Sequence, residues 1–125
     1  MDFEITPTDT AEGSHGLAVS GELDILAAPS LKERLTKLLD EDAVFVLVDL
    51  SETTFVDSTA LGVLIGINKS LRLRDGALMI VCNPSIRTIF SLTLLDRVFD
   101  IFDTPDAAAA ALKALEETRA ADSVA

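Results

Sequence analysis

Two continuous apolar stretches constrain the fold of this chain more than any other feature. Residues 43–50 read "AVFVLVDL" and residues 77–82 read "ALMIVC". Both are short and contain β-branched side chains, and neither alternates between apolar and polar residues as a half-exposed strand does. Such runs are typical of strands buried on both faces of a parallel sheet. Because parallel strands need crossover segments, which are usually helices, the chain is expected to be an α/β protein.

The rest of the chain continues this alternation of strands and helices. Residues 3–7 and 17–20 predict two short strands joined by a turn at "EGSHG". Further patterns predict helices from Ala27, over about 59–74, after an N-cap at Asn83 and after an N-cap at Thr104, with a last strand over 97–102.

The predicted order of elements is β-β-α-β-α-β-α-β-α. It indicates a mostly parallel sheet with an antiparallel N-terminal edge, because only the opening hairpin lacks a crossover helix. The expected organisation is one domain over residues 1–118, followed by a frayed C-terminal tail over 119–125.

Composition narrows the partners and the compartment. The formal net charge of −11 disfavours direct contact with nucleic acid or an anionic membrane. The longest apolar run, residues 60–67, is too short to cross a bilayer, and the acidic N-terminus does not resemble a signal peptide. The single cysteine, Cys82, is predicted to be a buried strand-end residue. These features lead us to expect a cytoplasmic protein.

Three enzyme classes that use α/β sheets lack their residues here. No glycine-rich loop with a lysine follows an early strand, and Ser58 lacks the flanking glycines of a serine hydrolase. The only histidine, His15, is expected in the hairpin loop. A phospho-accepting receiver domain would need further acids and a late lysine, so Asp49 is expected to hydrogen-bond the following loop. We therefore predict no catalytic activity, no cofactor and no metal.

The stretch "FVDSTALG", residues 55–62, offers three successive candidates for the N-cap of a helix, namely Asp57, Ser58 and Thr59. The helix that follows is apolar nearly all round, whereas a surface helix normally has a polar face. Gly62 and Gly66 permit two interpretations. Either this face stays open for a partner, or the glycines pack against the sheet.

A helix start is also a favourable place for a phosphate group. A phosphoserine carries roughly −1.5 to −2 charge at pH 7, and the unpaired amides and positive dipole end of a helix attract that charge. The host protein can then accept the group without unfolding, while a closely packed or acidic partner surface cannot. Asp57, next to Ser58, adds like charge to that contrast.

The segment "VDLSETTFVDSTALGVL" resembles the signature of the STAS domain family (sulfate transporter and anti-sigma factor antagonist). In that signature a strand ending in Asp leads to a D-S-[ST]-G-L-G-like helix start. "GELDILAAPSLKERL" and "GALMIVCNPSIRTIFSLTLLDRVFDIF" are similar to other segments of the family, so the resemblance covers nearly the whole chain. Two departures are Ala60, where many members have glycine, and "SLTLLDRVF", which lacks the glycine often found before the last strand. The second departure is expected to alter a helix end and a hydrophobic contact at Leu94.

The resemblance implies an anti-sigma factor antagonist rather than an enzyme. In that group the unphosphorylated protein binds an anti-sigma factor that is also a serine kinase, phosphorylation ends the binding, and a serine phosphatase restores it. Carried over, the phospho-acceptor is Ser58, with Thr59 as a second possible acceptor. The partner-binding residues are expected to be Asp24, Asp57, Ser58, Thr59 and Gly62.

Several alternatives remain open from the sequence. Asp24 has a purely structural alternative, in which it ends a strand and caps the turn before the first helix. The protein itself is expected to be a monomer or weak dimer, and the main alternative function is a scaffolding subunit of a stress-sensing or transport complex. A small-molecule-binding or nucleotide-responsive domain ranks last because no dedicated motif supports it.

Overall fold

The computed structural model describes residues 2–8 and 15–124, and its centre is a five-stranded sheet in the order β1-β2-β3-β4-β5. The first two strands pair antiparallel, and every other neighbouring pair is parallel. The predicted fold class is therefore confirmed. The strands are β1 (Phe3–Pro7), β2 (His15–Leu23), β3 (Phe45–Val56), β4 (Ala77–Cys82) and β5 (Asp100–Phe102).

The helices divide unequally between the two faces of the sheet. They are α1 (Ala28–Asp40), α2 (Ser58–Arg72), α3 (Pro84–Leu92) and α4 (Pro105–Val124), with a short 3-10 turn at Leu95–Arg97. The first three pack on one face, where their apolar side chains join those of β2, β3 and β4 in the main core. On the other face α4 packs Leu112 and Ala108 against β3 and β4. Within residues 2–8 and 15–124, none of the helices combines the length and apolar character that crossing a membrane requires.

Strand β3 is longer than predicted. Residues 51–56 were expected to form a loop, but they continue the strand because β2 pairs with them as far as Leu23 opposite Val56. By contrast, β4 pairs with β3 only up to Cys82 opposite Leu50. The last six residues of β3 therefore extend beyond β4 and carry the chain to the start of α2.

Other boundaries also differ from the predictions. The last strand begins at Asp100 rather than at residue 97, because the chain first makes the 3-10 turn. His15 is the first residue of β2 and not a loop residue, and residues 12–14 of the predicted turn lie outside the described residues. Helix α4 continues to Val124, so residues 119–124 are helical where a frayed tail was expected. The domain boundary at residue 118 stays a prediction.

The missing glycine before the last strand has a backbone consequence. Leu94 follows the end of α3 and adopts a left-handed conformation, with φ of 61°. This conformation suits glycine and is strained for a residue with a Cβ atom. The side chain itself is 59% exposed, so the departure from the family pattern changes backbone strain rather than a hydrophobic contact in the core.

Candidate functional site

The ends of β2 and β3 bring the predicted site residues together. Leu23 lies opposite Val56 in the parallel register, and the Asp57 amide donates to the Leu23 carbonyl at 3.0 Å. Asp24 is the next residue after Leu23, and Ser58 directly follows Asp57. The predicted acids and the candidate phospho-acceptor therefore lie side by side at the carboxyl-terminal edge of the sheet.

Asp57 is the N-cap of α2. Its backbone is extended, and its Oδ1 accepts from the Ala60 amide at 3.0 Å. Its main-chain carbonyl accepts from the Leu61 amide at 3.0 Å. Of the three candidate N-cap residues Asp57, Ser58 and Thr59, Asp57 is therefore the one that caps the helix. Ser58 becomes the first residue of the helix.

Ser58 and Thr59 are both exposed, while Asp57 is half-buried. Their amides belong to the first helical turn, where no preceding helical carbonyl is available to accept from them. The Asp57 carboxylate takes the third amide of this turn, that of Ala60. A hydroxyl at residue 58 therefore lies in solvent, beside two backbone donors and at the positive end of a 15-residue helix.

Asp24 has the structural role that the sequence offered as an alternative. Its Oδ1 accepts from the amides of Leu26 and Ala27, both at 3.0 Å, and its carbonyl accepts from Ala27 and Ala28. The residue is only 9% exposed. Its main effect is to shape the turn between β2 and α1, and direct contact with a partner stays a prediction.

The glycines of α2 face outward. A Cβ atom built on Gly62 or Gly66 would meet no heavy atom within 4 Å, so the interpretation in which they pack against the sheet is wrong. Both glycines are also exposed to solvent. The groove between α1 and α2 has a volume of about 570 Å³ and runs past Thr59, Gly62 and Gly66.

The sequence missed a second role of Asn83. As predicted it is an N-cap, with Oδ1 accepting from the Ile86 amide at 3.0 Å. Its Nδ2 also donates to the carbonyls of Ser51 at 3.1 Å and Thr53 at 2.8 Å. These carbonyls lie on the part of β3 that extends beyond β4. Asn83 thus supports the strand segment that leads to Ser58 in α2, and this role could be recognised only once the extension of β3 was known.

Two exposed aliphatic side chains near the site were also missed. Ile25 is 65% exposed and Leu26 is 74% exposed, both in the turn that Asp24 shapes. Phe55, near the end of β3, is 46% exposed. A signal was present in "GELDILAAP", because tight turns favour small and polar residues over bulky aliphatic ones.

Two other predicted residues have the expected surroundings. Asp49 Oδ1 accepts from the Ser51 amide at 2.9 Å and from its Oγ at 2.6 Å, although Ser51 belongs to the strand and not to a loop. Cys82 is buried at the end of β4, and burial raises the pKa of its thiol more than nearby Arg87 lowers it. Among the described residues no group of three or more His, Cys, Asp or Glu side chains is placed to hold a metal.

Both the sequence and the fold of this chain are similar to those of known proteins. The STAS domain profile matches residues 8–108. An anti-sigma-B factor antagonist from Listeria monocytogenes is 34% identical over 84 residues, which cover 66% of this chain and 74% of that protein.

Solved structures give the same result. An anti-sigma factor antagonist from Mycobacterium paratuberculosis superposes with a TM-score of 0.82 at 26% identity, covering 90% of this chain and 95% of that one. The Bacillus cell fate determinant SpoIIAA in its phosphorylated form gives a TM-score of 0.70 at 16% identity, over 87% and 99% of the two chains, which shows a shared fold. Since the profile spans most of the sequence and the Listeria relative exceeds 30% identity, the chain belongs to the STAS domain family.

Proposed function

We propose that this protein is an anti-sigma factor antagonist whose binding to an anti-sigma factor is switched off by phosphorylation of Ser58. The observation that carries the proposal is the position of Ser58, exposed at the first residue of α2 and directly after the N-cap Asp57. The Listeria and Mycobacterium relatives, both named as antagonists, support the role.

The chemical step is a phosphoryl transfer from ATP held by the anti-sigma factor, which acts as a serine kinase. Ser58 Oγ forms a bond to the γ-phosphorus, the bond from that phosphorus to the bridging oxygen breaks, and ADP leaves. The hydroxyl proton is released. A serine phosphatase later uses water to restore the hydroxyl and release inorganic phosphate.

The start of α2 offers hydrogen-bond donors and a favourable dipole for a phosphate on Ser58. Asp57 already satisfies the Ala60 amide, so the amides of Ser58 and Thr59 remain as donors for phosphate oxygens. The positive end of the α2 dipole favours the added charge. The SpoIIAA structure shows that a protein of this fold exists in a phosphorylated form.

The negative charge of the phosphate is expected to weaken binding of the anti-sigma factor. The phosphate adds to the charge of Asp57, and an anti-sigma factor packed closely against this edge would have to desolvate both groups. A partner surface with basic or mixed charge suits the unphosphorylated protein, whose net charge is −11. In this proposal the protein works in the cytoplasm as a monomer or weak dimer, has no catalytic activity of its own and does not contact nucleic acid.

Phosphate mapping tests the acceptor. The protein is incubated with the anti-sigma factor kinase and ATP, and the modified residue is identified by mass spectrometry. Label is expected on Ser58, absent in Ser58→Ala and retained in the matched control Thr59→Ala. Label confined to Thr59, or Ser58→Asp binding the anti-sigma factor as tightly as Ser58→Ala, would overturn the proposal.

The outward-facing glycines favour one second candidate, a scaffolding subunit. Gly62 and Gly66 leave the α1–α2 groove open enough for another chain to approach the backbone of α2. Size-exclusion chromatography with light scattering separates the two functions. A defined high-order particle supports the scaffold, and a monomer or weak dimer supports the antagonist.

A further inference from the structure

The turn between β2 and α1 presents apolar surface where a turn normally presents polar groups. Ile25 and Leu26 occupy its tip and are 65% and 74% exposed. A single exposed aliphatic side chain is ordinary, because much of any protein surface is apolar. Two successive ones at the tip of a tight turn, with no role in the core, require another explanation.

This turn is held in one conformation. The Asp24 carboxylate accepts from the amides of Leu26 and Ala27, and the Asp24 carbonyl accepts from those of Ala27 and Ala28 at 3.1 and 3.0 Å. Ala27 and Ala28 are buried against the core, which fixes the other end of the turn. A partner that binds Ile25 and Leu26 therefore pays little entropy for ordering the backbone.

The turn also lies beside the candidate phospho-acceptor. It follows Leu23 just as Asp57 follows Val56, and these two strand ends are paired in the parallel register. Phe55, which is 46% exposed, adds apolar surface at the same end of β3. Any kinase that reaches Ser58 must approach this edge of the sheet.

We propose that Ile25 and Leu26 form an apolar anchor that inserts into a hydrophobic pocket of the anti-sigma factor kinase and supplies the phosphate-independent part of its affinity. This inference rests on the function proposed above and adds a second contact to it. The charges around the anchor specify the rim of that pocket. Glu22, near the end of β2, and Asp57, just after β3, make this edge of the sheet acidic, so the surface around the pocket is expected to be basic or mixed in charge.

The anchor and Ser58 contribute in different ways. Ser58 Oγ is the reacting atom, whereas Ile25 and Leu26 contact the kinase equally before and during phosphoryl transfer. Loss of such a uniform contact raises KM and leaves kcat unchanged. It also weakens the complex without ATP.

The test compares two double variants that each replace two exposed aliphatic residues. Ile25→Ser with Leu26→Ser removes the anchor. Leu73→Ser with Leu92→Ser is the matched control, because Leu73 (84% exposed) and Leu92 (80% exposed) lie near the ends of α2 and α3 that are remote from Ser58.

Calorimetry measures binding to the anti-sigma factor kinase that labels Ser58 of the wild-type protein, and steady-state assays give KM and kcat for that labelling. Thermal unfolding checks the fold, and the single variant Leu26→Gln, which keeps Ile25, provides a milder change.

The anchor variant is expected to bind about 10- to 100-fold more weakly and to raise KM by a similar factor, with kcat unchanged. Leu26→Gln is expected to give a smaller loss, and the control variant none. Equal affinity of anchor and control variants, or a loss confined to kcat, would overturn the anchor while leaving the Ser58 switch intact. Failure of the wild-type protein to be labelled at Ser58 would instead overturn the proposed function and the anchor with it.

Discussion

At the residue scale, Asp57 caps one amide in the first turn of α2, and the proposed phosphate on Ser58 would use two others. Asp57 accepts from Ala60, which leaves the amides of Ser58 and Thr59 for a phosphate. The Asp57 carboxylate therefore has two effects that substitutions can separate. Its carboxylate fixes the helix start, and its charge adds to that of a phosphate on the next residue.

Replacing Asp57 separates these two contributions. Asp57→Ala is expected to lower the free energy of unfolding by about 1 kcal/mol because the Ala60 amide loses its cap. Asp57→Asn keeps a capping oxygen and is expected to stay within a few tenths of a kcal/mol of the wild type. Urea denaturation at pH 7 measures both. An Asn variant as unstable as the Ala variant would contradict the assignment of Asp57 as a simple cap.

Leu94 carries backbone strain that glycine would relieve. Its φ of 61° is unfavourable for a residue with a Cβ atom, and its side chain is largely exposed. Leu94→Gly is therefore expected to raise the free energy of unfolding by about 1 kcal/mol. Leu94→Ala, which keeps the Cβ atom, serves as the control in the same thermal or urea unfolding series. Equal stabilisation by alanine would show that loss of the exposed side chain, and not the backbone, is responsible.

At the element scale, α2 has one face in the core and one face open. Its open face contains Gly62 and Gly66, where an added Cβ would meet nothing within 4 Å. Glycine inside a helix is unfavourable relative to alanine, so packing within this chain does not explain either residue. This agrees with the interpretation in which the face stays open for a partner.

Alanine substitutions test that interpretation of α2. Gly62→Ala and Gly66→Ala are each expected to raise the free energy of unfolding by roughly 0.5–1 kcal/mol. Gly76→Ala is the contrasting control, because its Cβ would lie 1.8 Å from the Val44 carbonyl oxygen and must destabilise the protein. Chemical denaturation measures the free energy of unfolding of all three variants. Destabilisation by Gly62→Ala would mean that this face of α2 is closed.

Asn83 donates two hydrogen bonds to the part of β3 that extends beyond β4. Asn83→Asp keeps the cap on Ile86 but removes the donors to Ser51 and Thr53, so each carbonyl loses its side-chain partner. We expect a loss of about 1–3 kcal/mol in the free energy of unfolding. Hydrogen exchange should also become faster for amides 52–57 and stay unchanged for 45–50. Unchanged exchange throughout β3 would contradict the supporting role of Asn83.

The sequence predicted the elements better than their junctions. The apolar runs at 43–50 and 77–82 correspond to β3 and β4, and Asn83 and Thr104 are the caps expected. The polar stretch 51–56 was mistaken for a loop because its strand character comes from pairing with β2, which local pattern does not report. The hydrogen bonds from Asn83 to β3 were missed for the same reason, because they depend on contacts between residues far apart in the sequence.

At the whole-molecule scale, the features of the candidate site gather at one edge of the sheet. The turn at Asp24, the cap at Asp57 and the side chain of Asn83 all follow the carboxyl ends of parallel strands. This is the edge where open α/β sheets usually place their functional groups. The motif around Ser58 was visible in the sequence, whereas the neighbouring apolar anchor required knowledge of side-chain exposure.

In the proposed function, one phosphate on Ser58 controls binding of the anti-sigma factor. Its most direct test is the affinity of a single anti-sigma factor for the unphosphorylated protein and for the protein phosphorylated at Ser58, measured by calorimetry in the same buffer. The phosphorylated form is expected to bind at least about 100-fold more weakly, because close packing at this edge must desolvate the phosphate beside Asp57. Equal or tighter binding of the phosphorylated form would show that Ser58 phosphorylation does not switch off binding of the anti-sigma factor.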